Sequence, residues 1–396
     1  MAALLWISLL LVGWSYVGYP LVLAVWDAAV EAIAGLRFLS GGPDRRAARA
    51  EGAWPRLSVV LAAFDEEACI RRKIENCLAL DYPADRLEIL VGCDGCTDGT
   101  AAAARSTGGE RAKVVELAPR SGKASVLSRL VPTASGDVVL LTDANTLLEP
   151  GAAKALARHF RDPAVGAAVG LLRLQGGGEE GAYWKYETAV KHWEGKRGCV
   201  VGANGGLYAI RRLLFAPLRP GTIVDDLVVP ARIAARGWRV PFDPEAIAHE
   251  DGAGEAAVEF ERRARIGAGN WQAIALVPEL LDPRTGFLFF AFVSHKLLRW
   301  TTPLLLAVAL AANVRLAATG AGPRYGALLG AQLVFYAAAL WGRARGGEGA
   351  VRRLAAVAHH FVAMNAALAV GFWRFVRGTQ RAAWDRTRRV PDARTA

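Results

Sequence analysis

Apolar and polar positions divide the chain into three regimes. From Met1 to Trp26 no side chain carries a charge, a run longer than the ~20 residues a helix needs to cross a hydrocarbon core. This predicts a membrane-spanning helix over residues 1–28. A cleaved signal peptide would show a basic n-region and an apolar run of about 7–15 residues; the pattern fits an uncleaved anchor instead. Three more apolar stretches, Thr301–Val314, Tyr325–Gly342 and Leu354–Trp373, predict further spans within residues 301–376. Ahead of them, Phe287, Phe289, Phe290 and Phe292 precede His295, Lys296, Arg299 and Trp300. That mix predicts an amphipathic segment, residues 276–300, lying at headgroup level with its basic groups snorkelling outward.

Between the apolar ends the period changes. Leu57–Ala63, Leu87–Cys93, Val114–Leu117, Asp137–Thr142 and Val165–Gly170 read as strands, and Glu66–Leu80, Thr97–Arg105, Lys123–Val131 and Gly151–Phe160 as helices. Alternation of this kind predicts an α/β domain over residues 55–275, a mostly parallel sheet covered by helices. In such a sheet the ligand site lies at the carboxyl ends of the strands.

Composition and charge sharpen this. Hydrophobic residues are 53% and charged residues 21% of the 396, against a usual charged share of about 25%, which argues against a purely soluble enzyme. Disorder is excluded by 12 Trp, 14 Phe and 8 Tyr. The excess of 48 Lys+Arg over 37 Asp+Glu suits anionic lipid or a phosphate-bearing substrate, and no nucleic-acid-binding motif is present. Arg37, Arg45, Arg46 and Arg49 make residues 29–54 a basic linker, which the positive-inside rule places in the cytoplasm. Three later crossings would then put the tail, residues 377–396, outside, whereas Arg374, Arg377, Arg381, Arg386, Arg388 and Arg389 argue for inside. One stretch must therefore be re-entrant or interfacial. The five cysteines indicate no disulfide framework; Cys93 and Cys96 read as small residues on a turn.

The strand ends carry the chemistry. Asp65, Glu66 and Glu67 follow the first strand, where they also suit a helix start. Asp94-Gly95-Cys96-Thr97-Asp98-Gly99 follows the second, offering carboxylates to a base or sugar. Arg120-Ser121-Gly122-Lys123 is a basic turn ahead of a helix, able to meet phosphate oxygens. Asp143 and Asn145 follow the fourth strand, two oxygen ligands on alternate residues, a spacing that suits Mg²⁺ or Mn²⁺.

These four sites in this order resemble the GT-A fold of the family 2 glycosyltransferases, in particular the membrane-embedded branch of cellulose, hyaluronan and poly-N-acetylglucosamine synthases. Later segments extend the likeness: Gly202-Ala203-Asn204-Gly205-Gly206 resembles the glycine-rich floor near the donor sugar, Val224-Asp225-Asp226 that branch's Thr-Glu-Asp, and Arg262-Arg263-Ala264-Arg265-Ile266 its Gln-x-x-Arg-Trp. The resemblance implies an inverting, metal-dependent transfer of a sugar from a UDP-sugar donor to a growing glycan. It assigns Asp65, Glu66, Asp94, Lys123 and Asn204 to the nucleotide sugar, Asp143 to the ribose and metal-bound diphosphate, Asp226 to the general base and Arg265 to the leaving diphosphate. It further implies a bacterial-type plasma membrane protein with its catalytic domain in the cytoplasm.

The sequence departs from that pattern in three places. Asn145 stands where a second carboxylate is expected, with His249 as a candidate third metal ligand. Arg262 and Ile266 replace the Gln and Trp of the processive motif, which leaves open a second reading: transfer of a single sugar to a polyprenyl phosphate or other membrane lipid. A third, an inactive membrane scaffold, has no chemical need for Asp94, Asp143, Asp226 and Arg265 together.

Overall fold

A computed structural model describes residues 1–39, 53–175, 179–251, 256–342 and 349–380. Arg45, Arg46 and Arg49 of the basic linker and Arg381, Arg386, Arg388 and Arg389 of the tail lie outside the described residues. In chain order the helices are α1 (Ala2–Gly13), α2 (Tyr19–Leu39), α3 (Glu67–Leu78), α4 (Thr100–Gly108), α5 (Lys123–Leu130), α6 (Ala152–Ala157), α7 (Glu179–Lys196), α8 (Asp225–Ala235), α9 (Ala256–Leu276), α10 (Phe287–Ala291), α11 (Leu298–Ala318), α12 (Pro323–Gly342) and α13 (Ala350–Arg377). The strands are β1 (Leu57–Ala63), β2 (Leu87–Asp94), β3 (Ala112–Leu117), β4 (Val138–Asp143), β5 (Leu147–Leu148), β6 (Ala167–Gln175), β7 (Tyr208–Arg211) and β8 (Phe242–Asp251).

One sheet runs β3-β2-β1-β4-β7-β6-β8-β5. The β1–β2, β2–β3, β1–β4 and β6–β8 pairs are parallel, and β7 runs antiparallel to both of its neighbours. Every residue of β1 is buried, as expected of a parallel strand covered on both faces. Val59 and Leu61 pack with Ile70 and Ile74 of α3, while Val60 packs on the opposite face with Val126, Leu127 and Leu130 of α5. That second core continues without a break into Tyr19, Leu23, Phe292 and Trp300 of the apolar helices. The sheet and those helices therefore share one core. Because β2 and β4 flank β1 on opposite sides, the crevice that binds ligands in open α/β sheets forms over their carboxyl ends, where Asp65, Asp94 and Asp143 stand.

The α/β class and the mostly parallel sheet match the reading from sequence; β5, β7, β8 and α7 were not anticipated by it. β8 reads Phe-Asp-Pro-Glu-Ala-Ile-Ala-His-Glu-Asp, a composition depleted in strand formers. It is laddered to β6 and β5, and a buried ion cluster anchors its start: Asp243, 1% exposed, receives Arg158 through Nε at 2.9 Å and Nη2 at 2.7 Å and faces His159 Nε2 at 2.7 Å.

Four helical stretches are long and apolar enough to cross a membrane: Ala2–Arg37, Phe287–Ala318, Pro323–Gly342 and Ala350–Arg377. The first two each contain a π-turn, at Trp14–Gly18 and Phe292–Leu297. The expectation of a separate headgroup-level helix over Gly286–Trp300 with outward-snorkelling groups is corrected here. That segment continues into α11, and His295 and Arg299 are buried, at 0% and 5% exposed, because α7 offers Glu187 and Glu194 to them. At the opposite end of these helices Leu5 packs with Ala309, Ala312, Leu316 and Tyr325.

Candidate active site

Three acidic side chains and two cations converge where β4, the turn before β7, and the start of α8 meet. Lys123 opens α5, and its Nζ lies 2.7 Å from Asp143 Oδ1 and 3.4 Å from Asp225 Oδ2. Burial opposes the charge on Lys123, but Asp143 and Asp225 outweigh it and hold the ammonium well above its ordinary value. Gly205 sits against the same group. A Cβ built there would lie 3.4 Å from Asp143 Oδ2, 3.4 Å from Asp226 Oδ2 and 3.6 Å from Lys123 Nζ, so glycine keeps open a small space ringed by two carboxylate oxygens and an ammonium.

Asp225 and Asp226 occupy the first turn of α8, whose N-cap is Val224 without a side-chain cap bond. They differ in environment. Asp225 is 5% exposed and receives Tyr208 Oη at 3.4 Å as well as Lys123. The Asp226 carboxylate makes no hydrogen bond or ion pair among the described residues, while its backbone oxygen accepts from Ala203 N at 2.7 Å. Burial first, and the neighbouring Asp225 charge second, push Asp226 up to about 6. A carboxyl poised near neutrality beside a cleft is the condition of a general base.

Arg265 completes the group from α9. Its guanidinium is half-buried and has no hydrogen-bond or ion-pair partner among the described residues. Burial and then Arg262 lower its proton affinity, while Asp226, Asp225 and Asp143 raise it. Arg262 and Arg263, by contrast, are both committed to Glu259. Arg265 is thus the one arginine of the three whose charge faces the acidic cluster unspent.

The remaining residues singled out from sequence fall into two groups. Asp143, Asp226, Lys123 and Arg265 come together. Asp94 is 0% exposed, and its two oxygens are taken by Ser121 N at 2.7 Å, Ser121 Oγ at 3.0 Å and Gly122 N at 2.7 Å; it shapes the turn that delivers Lys123 rather than presenting a free carboxylate to a base. Asp65 has φ +50°, the sole non-glycine residue with positive φ among the described residues, and accepts from Thr97 N at 2.7 Å, linking the β1 and β2 turns. Glu66 sits at the N-cap of α3 and accepts from Cys69 Sγ. Asp65, Cys96 and Asp98 offer ligand atoms within 4.8 Å of one another, and both aspartates are spent on backbone amides of these turns.

Asn145 and His249 do not share a partner. Asn145 Nδ2 donates to Glu250 Oε1 at 2.9 Å, whereas His249 Nε2 lies 2.9 Å from Glu149 Oε1. The carboxylate beside Asn145 is therefore Glu250. Asn204 is 7% exposed, with its Nδ2 donating to Gly170 O at 3.1 Å and its Oδ1 accepting from Lys191 Nζ.

Two lysines beneath the site went unread from sequence. Lys73, fully buried, donates to Thr142 Oγ1 at 2.9 Å and to Thr146 O, and so fixes the Asp143–Asn145 turn from below. Lys191 does the same under Asn204. The signal for Lys191 was a stripe, Glu187-Lys191-Glu194, at helical spacing within an aromatic-rich segment.

Residues 55–269, more than half of the chain, match the model of a glycosyltransferase-like family 2, and the chain belongs to that family. It is 26% identical over 234 residues to a beta-monoglucosyldiacylglycerol synthase of Synechocystis, covering 55% of this chain and 48% of that protein. It is 25% identical over 224 residues to a poly-beta-1,6-N-acetyl-D-glucosamine synthase of Staphylococcus aureus, covering 53% and 52%. The chain thus spans about half the length of the curated relatives it matches. Among solved structures, a mannosyltransferase from Pyrobaculum calidifontis in complex with GDP-Man and Mn²⁺ aligns with TM-score 0.67 and 24% identity over 94% of this chain and 99% of that one. Its fold is the fold seen here over nearly the whole chain.

Proposed function

We propose that this family 2 glycosyltransferase moves one sugar from a nucleoside diphosphate donor, UDP-linked in our reading, to a hydroxyl or phosphate oxygen of a lipid acceptor held at the membrane surface, with inversion. The observation that carries the reading is the centre itself: Asp226, a base candidate unpaired among the described residues, lines the space at Gly205 with Asp143 and Lys123, and Arg265, likewise unpaired among them, feels the charges of Asp226, Asp225 and Asp143. In the step we envisage, the acceptor oxygen bonds to the anomeric carbon as the bond to the diphosphate breaks. An acceptor hydroxyl gives its proton to Asp226, and Arg265 with Lys123 neutralises the departing diphosphate. The hard oxygens of Asp143 and of the Asn145 side chain, with the Glu250 carboxylate beside Asn145, fit Mg²⁺ or Mn²⁺, while Asp226 is kept for the proton. Such an ion, when bound, offsets diphosphate charge. His249, engaged by Glu149, is a poorer ligand candidate than Glu250.

The membrane helices favour a lipid over a growing polymer. Gly371 of α13 packs backbone to backbone on α9: a Cβ there would lie 2.5 Å from Ala264 O and 2.8 Å from Ala268 N. The Trp271 ring of α9 packs at a tilt, 4.9 Å from Phe372 and 6.4 Å from Trp300. The helix bearing Arg265 is therefore seated on the apolar helices, within reach of a lipid headgroup.

Helix α13 itself supports an in-plane rather than a crossing arrangement. Arg352, Arg353, His359, His360, Arg374 and Arg377 fall on one side of it at 100° per residue, while Leu354, Val357, Phe372 and Val376 are exposed on the other. α11 runs away from the catalytic domain and α12 returns. α13 then meets the returning end of α12 through His359 Nδ1, 3.1 Å from Ala339 O, and meets the catalytic domain through Arg374, whose Nη1 is 2.8 Å from Glu261 Oε2. A point ten residues into α13 is thus tied to the returning end of α12 and its C-terminal turn to the catalytic domain, as befits a basic amphipathic helix in the interface. This arrangement removes the conflict between the crossing count and the tail arginines. It also leaves three crossing helices, packed on one another through Leu5 and Ala309, too few to enclose a polysaccharide path.

Two experiments test this. Full-length protein in detergent, screened against UDP- and GDP-linked sugars with a lipid extract, should release nucleoside diphosphate and form a short lipid-linked product, lost in excess chelator and restored by Mg²⁺ or Mn²⁺. A long polysaccharide instead would return the reading to a synthase, and full activity in chelator would remove the metal. Separately, protease applied to sealed right-side-out vesicles should spare both the catalytic domain and a tag placed after Arg377. Cleavage of the tag alone would make α13 a crossing helix.

A further inference from the structure

Helix α7 lies between the glycine-rich floor and the membrane helices, and one stripe of it is charged. Glu187, Lys191 and Glu194, spaced by four and three residues, are 7%, 7% and 0% exposed. The two glutamates are met from the membrane side: Tyr19 Oη donates to Glu194 Oε1 at 2.9 Å, His295 Nδ1 lies 2.7 Å from the same oxygen, and Glu187 is ringed by His295 Nε2 at 3.2 Å, Lys296 Nζ at 3.4 Å and Arg299. The two π-turns of the membrane helices adjoin this knot, Trp14–Gly18 just before Tyr19 and Phe292–Leu297 containing His295 and Lys296. π-turns are often placed at functional sites.

Lys191 is the member of the stripe that faces the other way. Its Nζ donates to Asn204 Oδ1, and among the described residues no carboxylate comes within ion-pair range of it. Asn204 in turn donates to Gly170 O at 3.1 Å, its carbonyl accepts from Leu207 N at 3.0 Å, and it immediately precedes Gly205, against which Asp143, Asp226 and Lys123 stand. An ammonium buried on a neutral amide is costly, and a leucine would fill a purely structural helix position more cheaply. Burial and then Lys296 push Lys191 down to about 7, against the pull of Asp226 and Glu194. Local rules are broken in this way mainly at functional sites.

We propose that Lys191 is a positioning residue of sugar transfer: it fixes the Asn204–Gly205 floor under the reacting centre and ties that floor, through α7, to the membrane helices. The proposal rests on the transferase reading above. Lys191 acts through Asn204, so its loss should shift the floor rather than remove a group that touches substrate. Misplacement of about 1 Å at a reacting centre costs about 10²-fold in rate.

The test compares Lys191→Met, which keeps the stem and removes the charge, with Lys191→Gln, which keeps a donor toward Asn204, in the full-length protein in detergent. Folded fraction is read by size-exclusion profile and thermal midpoint, and kcat and donor KM from nucleoside diphosphate release. Lys191→Met should lower kcat by about 10–100-fold with donor KM within about threefold of the parent, and Lys191→Gln should recover part of that loss. A kcat within about threefold of the parent in folded Lys191→Met would leave Lys191 a packing residue and overturn the proposal. If Lys191→Met does not fold, Lys191→Gln decides alone: at least a fivefold loss of kcat supports positioning, and parent-like kcat overturns it. A parent protein that transfers no sugar from any nucleotide donor would instead bring down the transferase reading, an outcome distinct from failure of Lys191.

Discussion

Asp226→Asn is expected to lower sugar transfer by roughly 10²–10⁴-fold, the usual contribution of a positioned base, while the protein stays folded and still binds the nucleoside diphosphate. The alternative, that the two acids of α8 act as helix caps, has little support: the N-cap is Val224, and neither aspartate side chain bonds a first-turn amide. Their interaction with the helix dipole is worth about 0.3–1 kcal/mol each, which Asn would forfeit without unfolding the domain. The pH profile supplies a second measurement. Asp226 is pushed up to about 6 by burial and then by Asp225, and a base works only when deprotonated, so parent activity should be lost as pH falls through about 6. Asp225→Asn removes the like charge that holds this value up, so its acid limb should move to lower pH while the rate stays within about tenfold of the parent. Near-parent transfer by folded Asp226→Asn would sink the base assignment whatever the pH profile showed.

How far the sequence reached is seen in particular residues. β1 was legible to the residue because a run of seven positions, apolar except for Ser58, has few alternatives once flanked by Pro55 and Asp65. The strand-end acids were legible because open α/β sheets put their ligands there. β8 was not, since its fold depends on Asp243 finding Arg158 and His159 from a helix some eighty residues earlier, a contact with no local signature. Asp94 and Asn204 were correctly placed at the turns, yet a sequence does not say whether a polar group faces outward or is consumed by the turn it builds; here both are consumed. His295 and Arg299 were misjudged for the opposite reason. Aromatics followed by basic residues are the usual signature of an interface, and only the carboxylates of α7, more than a hundred residues earlier, turn them inward. The same long-range matching hid Lys191 and Lys73, lysines that any local reading sets on the surface.

Arg265 carries the other large expectation. Arg265→Gln should reduce kcat by roughly 10²–10³-fold, the range found when one preorganised donor to a developing anion is removed, and should weaken nucleoside diphosphate binding as well. The prediction turns on the contrast with its neighbours. Arg262 donates to Glu259 at 2.7 and 3.1 Å and Arg263 is tied to the same carboxylate, so both guanidinium groups are held toward Glu259. Arg262→Gln should therefore cost less than about tenfold, even though it stands within one turn of Arg265. Arg265 is held toward the acidic cluster because α9 is pinned: Gly371 brings α13 into backbone contact at Ala264 and Ala268, and Trp271 is wedged between Trp300 and Phe372. Gly371→Leu should accordingly lose activity by displacing α9, with Arg265 itself untouched. Nucleoside diphosphate release measured for Arg265→Gln and Arg262→Gln side by side decides the matter. If the larger loss falls on Arg262, the diphosphate lies toward Glu259 and the outer turn of α9; if it falls on Arg265, the leaving group departs into the space kept open by Gly205, between Asp226 and Lys123.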